Sequence, residues 1–180
     1  MRGYFGVGVE NISKEQNVGT IVRSAYSFGA SFFFSIQPGL DINALRVSDT
    51  SDAFDHLPYY QYDMAEAFAL PMDCTLVGVE LVEEAVELPS FRHPRRAAYI
   101  LGPEMGSLSS PVLDRCHHVV KIPMSFCVNV GVAAAIIMYD RMISMGRFAE
   151  RPVRPGGPLA EDVLALRKPN STLRRKIKRK

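Results

Sequence analysis

The feature that most constrains the fold is a strand, a loop and a helix read in that order over residues 120–141. The segment opens with β-forming residues, and Pro123 ends the strand because proline has no N–H to donate. A run of helix-forming residues follows at 133–139. Open α/β sheets bind ligands at the carboxyl ends of their strands, so we expect residues 120–141 to form the floor of a binding site, with residues 124–129 as its loop.

Asn129 stands immediately before that predicted helix. An asparagine in this place is typically an N-cap, whose side-chain oxygen accepts a hydrogen bond from an N–H of the first turn. Its place in the loop is equally compatible with a direct catalytic role. The sequence leaves both interpretations open.

The N-terminal part of the chain repeats the alternation of strand and helix. Residues 4–9 and 31–36 are apolar runs typical of buried strands, and residues 18–28 place apolar side chains at helical spacing. Gly29 lies where a glycine commonly ends a helix, and Arg23 lies off the apolar stripe. This βαβ unit predicts a right-handed crossover and a parallel sheet.

The remaining segments extend the same pattern. We predict strands at 74–81 and 97–101, helices at 64–70 and 111–116, a loop with room for one helical turn at 41–62 and a polar connection at 83–94. The predicted fold class is therefore α/β, with a parallel sheet flanked by helices in one domain over residues 1–150. Residues 151–180 read as a Pro/Gly linker, a short helix and a basic tail.

The charge of the chain is divided unevenly. Residues 167–180 hold eight Lys and Arg and no acid, and the preceding residues carry a net charge of −6 within a total of +2. Such a tail is either a solvated segment that keeps the protein soluble or a binding element for a polyanion such as RNA.

No targeting or metal signal is present in the composition. The longest apolar run, residues 130–139, is too short to span a bilayer, and the N-terminus has no small-residue cleavage site. Cys74, Cys116 and Cys127 are odd in number and far apart, which argues against disulfides and a zinc site. We expect a cytoplasmic protein without a metal, in which Cys127 is a small buried packing residue.

The common catalytic fingerprints are absent, and the four histidines, among them His93, are predicted to lie at the surface or at strand ends. Three polar clusters instead follow predicted strands. These clusters are Asn17 with Arg23, Glu104 within a Gly-Pro turn, and Asn129. Each alone is compatible with a helix cap or a solvated side chain, although an arginine so placed can also bind phosphate.

Taken together, the clusters match three motifs. These are N-x-G-x-x-x-R at 17–23, L-G-P-E-x-G at 101–106, and I-P-M followed by N-V-x-V-A-A-A-I within 122–136. In this order they resemble the motifs of SpoU-type (TrmH-group) RNA ribose methyltransferases of the SPOUT superfamily, over residues 3–146. The resemblance implies a C-terminal trefoil knot in the sheet and a homodimer, with the helix over 130–145 at or near the contact.

The resemblance also implies S-adenosylmethionine as cofactor, held mainly by backbone groups in the knot. The residues that it assigns to the cofactor are Leu101, Gly102, Ile122, Met124 and Val128, with Val79 as a further candidate. The catalytic roles that it implies fall on Asn17, Arg23, Glu104 and Asn129. Cys127 and Gly131 depart from the family pattern, which has serines at both positions.

The implied reaction is 2′-O-methylation of a ribose in tRNA or rRNA. Arg23 is either a transient base or a stabiliser of the developing alkoxide, since a guanidinium holds its proton in proteins, and Glu104 and Asn17 are expected to orient it. In a dimer, Arg23 of one subunit would act beside the cofactor of the other. Two alternatives remain, an RNA-binding protein of this fold without methyl transfer and a methyltransferase for small molecules or proteins.

Overall fold

The computed structural model describes residues 3–48, 52–146 and 148, and its strands and helices belong to one compact unit, Met1–Arg147. The strands are β1 (Tyr4–Glu10), β2 (Phe32–Ile36), β3 (Tyr59–Tyr62), β4 (Thr75–Val79), β5 (Val86–Glu87), β6 (Arg96–Leu101) and β7 (His118–Lys121). The helices are α1 (Glu15–Phe28), α2 (Ile42–Ser48), α3 (Ala53–His56), α4 (Ser110–Leu113) and α5 (Val130–Met145). The predicted linker, short helix and basic tail at 151–180 lie outside the described residues.

The seven strands form one sheet in the order β3-β2-β1-β6-β4-β7-β5, and every pairing is parallel. This confirms the predicted parallel α/β fold. Because all strands run the same way, the carboxyl ends of β1, β4, β6 and β7 meet at one edge of the sheet. Within the described residues, no helix is both long and apolar enough to cross a membrane.

Alternate residues of the central strands pack into two separate cores. In β6, Tyr99 and Leu101 join the core formed with α1 and α5, whereas Ala98 and Ile100 join the core formed with Leu108 and the α4 side of the sheet. Both faces of the sheet are therefore covered, as parallel sheets require.

Some predicted boundaries were right and others were not. Gly29 adopts the left-handed conformation, at φ 77°, and its N–H bonds to the carbonyl of Tyr26, which confirms the predicted helix stop. The helix predicted at 64–70 is wrong, because that segment forms turns. Arg115 donates hydrogen bonds to the carbonyls of Ala65, Glu66 and Phe68, so a side chain from a distant part of the chain supports these turns.

The loop predicted at 41–62 is also wrong, since it contains α2, α3 and β3. β3 lies at the edge of the sheet and its side chains are exposed or half-buried, so it lacks the apolar alternation by which a strand is detected. The polar connection predicted at 83–94 contains the two-residue β5 and a 3-10 turn, Leu88–Ser90.

His93 was predicted to lie at the surface or at a strand end. It precedes β6 closely, but its side chain is fully buried. Its Nδ1 lies 2.7 Å from the Tyr99 hydroxyl and its Nε2 lies 2.9 Å from Asp140 Oδ2. Arg141 donates to the Tyr99 hydroxyl and to the carbonyls of Pro94 and Arg95. Burial lowers the pKa of His93 and raises the pKa of Tyr99 to about 12, so both are neutral members of a network that fastens α5 to the start of β6.

Candidate active site

A cavity of about 370 Å³ opens at the carboxyl edge of the sheet. Its walls come from the loops that follow β4, β6 and β7 and from the start of α5. All six residues predicted to hold a cofactor line this cavity: Val79, Leu101, Gly102, Ile122, Met124 and Val128. Glu104 and Asn129 of the predicted catalytic set line it as well. Among the described residues, no group of His, Cys, Asp or Glu side chains could hold a metal ion.

Gly102 makes the inner wall of the cavity possible. A Cβ at this position would lie 3.1 Å from the backbone nitrogen of Leu108 and 3.3 Å from the carbonyl carbon of Ser107. Leu108 is held there by its N–H, which donates to Glu80 Oε2 at 2.8 Å. The backbone of 107–108 can therefore pass close to the end of β6 only because residue 102 has no side chain.

Glu104 joins the loop after β6 to the amino end of α1. Its carboxylate accepts hydrogen bonds from Ser13 N and Oγ, both at 3.1 Å, from Lys14 N at 3.0 Å and from Asn17 Nδ2 at 2.8 Å. Lys14 is the N-cap residue of α1 and makes no side-chain cap, so Glu104 satisfies free N–H groups there. Burial acts to raise the pKa of the Glu104 carboxyl, but the hydrogen bonds from Asn17 and Ser13 hold it below its ordinary value.

Asn129 and Asn17 continue this chain of hydrogen bonds. The Asn129 side chain donates to Asn17 Oδ1 at 2.9 Å and accepts from Gly131 N at 2.8 Å. The second contact confirms Asn129 as the N-cap of α5. Asn17 is 5% exposed and uses both ends of its amide, toward Glu104 and toward Asn129. The network therefore fixes the starts of α1 and α5 against the loop after β6.

Gly131 allows α1 and α5 to approach closely. A Cβ there would lie 2.9 Å from Thr20 Cγ2 and 3.1 Å from Asn129 Oδ1, which is closer than packed atoms tolerate. The serine of the family pattern would place its Cβ in this contact. The other departure, Cys127, is an exposed free thiol that lines the cavity, so its prediction as a buried packing residue is wrong. It lies in the solvent-facing loop before α5 and not in a core.

Arg23 stands apart from the other predicted site residues. It follows Asn17 by six positions on α1, a rotation of about 240° around the helix, so the two side chains leave different faces. Its guanidinium is exposed and makes no hydrogen bond or ion pair among the described residues. Within one chain, neither Asn17 nor Glu104 makes a hydrogen bond or ion pair with Arg23. The described residues therefore contain no contact through which those two side chains would orient Arg23.

Sequence reasoning missed two carboxylates that shape this edge. Glu80 follows β4 and accepts from Leu81 N and Leu108 N, and it lines the cavity. Glu10 ends β1, is fully buried, and accepts from the N–H and hydroxyl of Ser109, the N-cap residue of α4. The position of Glu80 and Glu10 at the ends of strands was the signal that could have identified them. Their partners, Leu108 and Ser109, lie 28 and 99 residues away in the sequence.

Residues 5–139 match the sequence model of the SpoU rRNA Methylase family. A curated relative, an uncharacterized tRNA/rRNA methyltransferase of Archaeoglobus fulgidus, is 29% identical over 146 residues. The alignment covers 76% of this chain and 63% of the relative, so the chain spans less than two thirds of that protein.

Solved structures share the fold. The AdoMet-bound rRNA methyltransferase of Sinorhizobium meliloti superposes with a TM-score of 0.70 at 18% identity, covering 79% of this chain and 57% of that protein. A structure described as giving insights into the 2-OH methylation of C/U34 on tRNA superposes with a TM-score of 0.68 at 23% identity, covering 81% and 98% of the two chains. At these identities the likeness concerns the fold.

Proposed function

Because this chain belongs to the SpoU rRNA Methylase family, we propose that it is an S-adenosylmethionine-dependent enzyme that methylates a ribose 2′-hydroxyl in tRNA or rRNA. The observation that carries the proposal is that the second and third motifs line one cavity, while Asn17 of the first motif is hydrogen-bonded to a residue of each. The loops after β6 and β7 line that cavity, and the Glu104, Asn17 and Asn129 side chains are joined by hydrogen bonds at its border.

The cavity fits the proposed cofactor in size and chemistry. Its volume of about 370 Å³ lies in the range of small-molecule sites, about 300–1,000 Å³. Val79, Ile122 and Met124 offer apolar walls, and Gly102, which has no side chain, presents only backbone atoms to the cavity. When bound there, the cofactor supplies a methyl group activated by a positively charged sulfur. We assign its binding to these four residues with Leu101 and Val128.

The charged and polar residues of the three motifs have different roles in the proposed reaction. Glu104 is an anion whose oxygens already accept four hydrogen bonds, so its role is to hold Asn17 and the first turn of α1. Asn129 is fixed by two contacts and can orient a ribose beside the cavity. Arg23 stabilises the negative charge that develops on the ribose oxygen, or binds the adjacent phosphate.

A homodimer brings Arg23 to the cavity of the second subunit. Two facts support this proposal: Arg23 leaves a different face of α1 from Asn17, and the outer faces of α1 and α5 expose Tyr26, Val132 and Tyr139. Light scattering at working concentration should give twice the mass of the chain, whereas a monomer would contradict the dimer.

Complementation tests whether Arg23 acts across that interface. An Arg23→Ala chain keeps its cavity, and a Val128→Trp chain keeps its arginine but fills the cavity. If Arg23 acts across the interface, co-expression of the two inactive variants restores methyl transfer in the mixed dimer. Continued inactivity of a purified mixed dimer would place Arg23 in its own subunit's site.

We also infer that the C-terminal part of the sheet carries the trefoil knot. β6 lies between β1 and β4, and β7 lies between β4 and β5. Each of the last two strands is therefore inserted between two strands that precede it in the chain, an arrangement in which the chain can pass through an earlier loop.

The proposed activity is tested by mass spectrometry of RNA nucleosides from a strain that lacks the gene. One 2′-O-methylated nucleoside should be missing from its tRNA or rRNA and should return on complementation. Calorimetry with S-adenosylmethionine separates the proposal from an RNA-binding protein that has lost methyl transfer, which would give no binding heat. An unchanged nucleoside profile in both RNA classes would contradict the proposed function.

A further inference from the structure

Two large apolar side chains stand almost fully exposed beside the cavity. Phe126 is 86% exposed in the loop after β7, and Met105 is 90% exposed in the turn after β6. The residue that follows Phe126, Cys127, lines the cavity, and so do Glu104 and Gly106 on either side of Met105. The two side chains therefore lie on the two loops that form the mouth of the proposed active site.

Neither side chain contributes to a core. Phe126 and Met105 belong to neither of the two clusters of buried residues, and Phe126 makes no ring contact within the described residues. A single exposed apolar side chain is common on protein surfaces and carries little meaning. Phe126 and Met105, however, each stand next to residues that line the same cavity, and together they are called the apolar rim below.

A cation accompanies the apolar rim. Lys14 lines the cavity, its backbone N–H is fixed by Glu104, and its ammonium makes no hydrogen bond or ion pair within the described residues. The second lysine at the cavity, Lys121, is already engaged, because its ammonium donates to the carbonyls of Val82 and Glu83. The mouth thus offers a flat aromatic ring, a flexible thioether and one unpaired positive charge.

We propose that the apolar rim holds an unpaired nucleobase of the RNA, with Phe126 stacked on the base and Lys14 on a neighbouring phosphate. The inference rests on the proposed function, and it adds the class of substrate, a nucleotide in a single-stranded loop or end. Bases in such segments can be splayed out and stacked on aromatic side chains, whereas duplex bases cannot. The ring replaces the stacking that the target nucleotide loses when its ribose enters the cavity.

Stacking also predicts what Phe126 does not do. Every nucleobase has a π-face, so a phenylalanine discriminates strandedness more strongly than base identity. Met105 is flexible and polarisable and adapts to a purine or a pyrimidine. The structure therefore assigns selection of an unpaired nucleotide to this rim and leaves the choice among the four bases to other contacts.

The test compares Phe126→Ala, Phe126→Trp and the control Met72→Ala. Met72 is also 86% exposed, but it precedes β4 at the opposite edge of the sheet. The probes are a single-stranded oligoribonucleotide carrying 2-aminopurine and the same strand in a duplex. We expect Phe126→Ala to weaken binding of the single strand by about 5–150-fold, the equivalent of one base stack. Phe126→Trp and Met72→Ala should retain the affinity, and calorimetry with S-adenosylmethionine should show unchanged cofactor binding in all three.

The outcomes separate this inference from the proposed function. Equal affinity of Phe126→Ala and wild type for the single strand, or an equal loss for the duplex, would overturn the stacking role. Methyl transfer to RNA is measured on the same samples. If the wild-type protein methylates RNA and Phe126→Ala has the same KM for RNA, the stacking role of the apolar rim is refuted and the proposed function stands. If the wild-type protein binds the probe through Phe126 but transfers no methyl group, only the proposed activity is refuted.

Discussion

At the scale of single residues, the Glu104 carboxylate supplies the N-terminal cap that α1 does not provide for itself. It reaches Ser13 across 91 positions of sequence, and through Asn17 it sets the position of Asn129. A carboxylate near the start of a helix is also favoured by the helix dipole. The same side chain therefore stabilises the fold and aligns the border of the proposed site.

Glu104→Gln should lower the stability at neutral pH, because the amide NH₂ would face the Ser13 and Asn17 donors. The folded pKa of Glu104 is lowered, so the contribution of its carboxylate is present above the ordinary glutamate pKa and is lost as the pH falls through the folded value. Chemical unfolding from neutral to acid pH should show the two proteins converging. Glu84→Gln is the control, since Glu84 is exposed and makes no side-chain hydrogen bond within the described residues. A constant difference at every pH would argue against this role.

Substitution of Asn129 separates its two roles. Asn129→Ala should cost about 0.5–2 kcal/mol of stability because the N-cap is removed, and should also lower methyl transfer. Asn129→Ser keeps a capping oxygen but lacks the amide NH₂ that reaches Asn17, so it should melt near wild type and remain impaired in activity. Thermal melts and single-turnover assays measure both properties. Full activity in the serine variant would leave Asn129 with the cap alone.

At the scale of elements, the contact between α1 and α5 depends on Gly131 and Thr20. Gly131→Ala places a methyl group within about 3 Å of Thr20, so overpacking should destabilise the protein by about 1–3 kcal/mol despite the better helix propensity of alanine. Adding Thr20→Ala should recover part of the loss. Gly19→Ala is the matched control, because a Cβ there meets nothing within 4 Å and should stabilise α1. Equal unfolding free energies for the Gly131 and Gly19 variants would refute this account.

Strands and helix ends that are specified by a short stretch of neighbouring residues were predictable from the sequence. The strands at β1, β2, β4, β6 and β7 have continuous apolar runs, and Gly29 marks the end of α1. The turns at 64–70 were not predictable, because Arg115 satisfies their carbonyls from about 50 positions away. His93 is buried for the same kind of reason, since its partner Asp140 lies on α5.

The candidate site also has a part that the sequence predicted and a part that it did not. The motifs located the loops around the cavity, and all six predicted cofactor residues line it. The contacts that fix the loops, such as Glu104 with Ser13 and Glu80 with Leu108, depend on strand order and could not be derived from spacing. Whether Arg23 on α1 reaches the cavity of its own subunit or that of a second subunit depends on how two chains assemble. The residue pattern of a single chain does not specify that assembly.

At the scale of the whole molecule, the charge asymmetry predicts how the chain meets RNA. Deleting residues 168–180 removes seven of the eight cations of the tail and none of the three motifs. RNA affinity should fall and its salt dependence should become shallower, by about 0.7–0.9 in slope for each phosphate that the tail no longer neutralises, while cofactor affinity stays unchanged. Titrations at several salt concentrations measure both. Identical affinity and slope in the truncated protein would make the tail a solubility segment.

The most direct test of the central claim is methyl transfer by the purified protein to RNA from a strain that lacks the gene, followed by digestion and mass spectrometry. We predict one new 2′-O-methylated nucleoside with the wild-type protein. We predict none with Arg23→Ala, which should keep its fold and cofactor binding because Arg23 is exposed and lies off the apolar stripe of α1. A nucleoside methylated on its base, methyl groups found only on protein, or full turnover by Arg23→Ala would contradict the account.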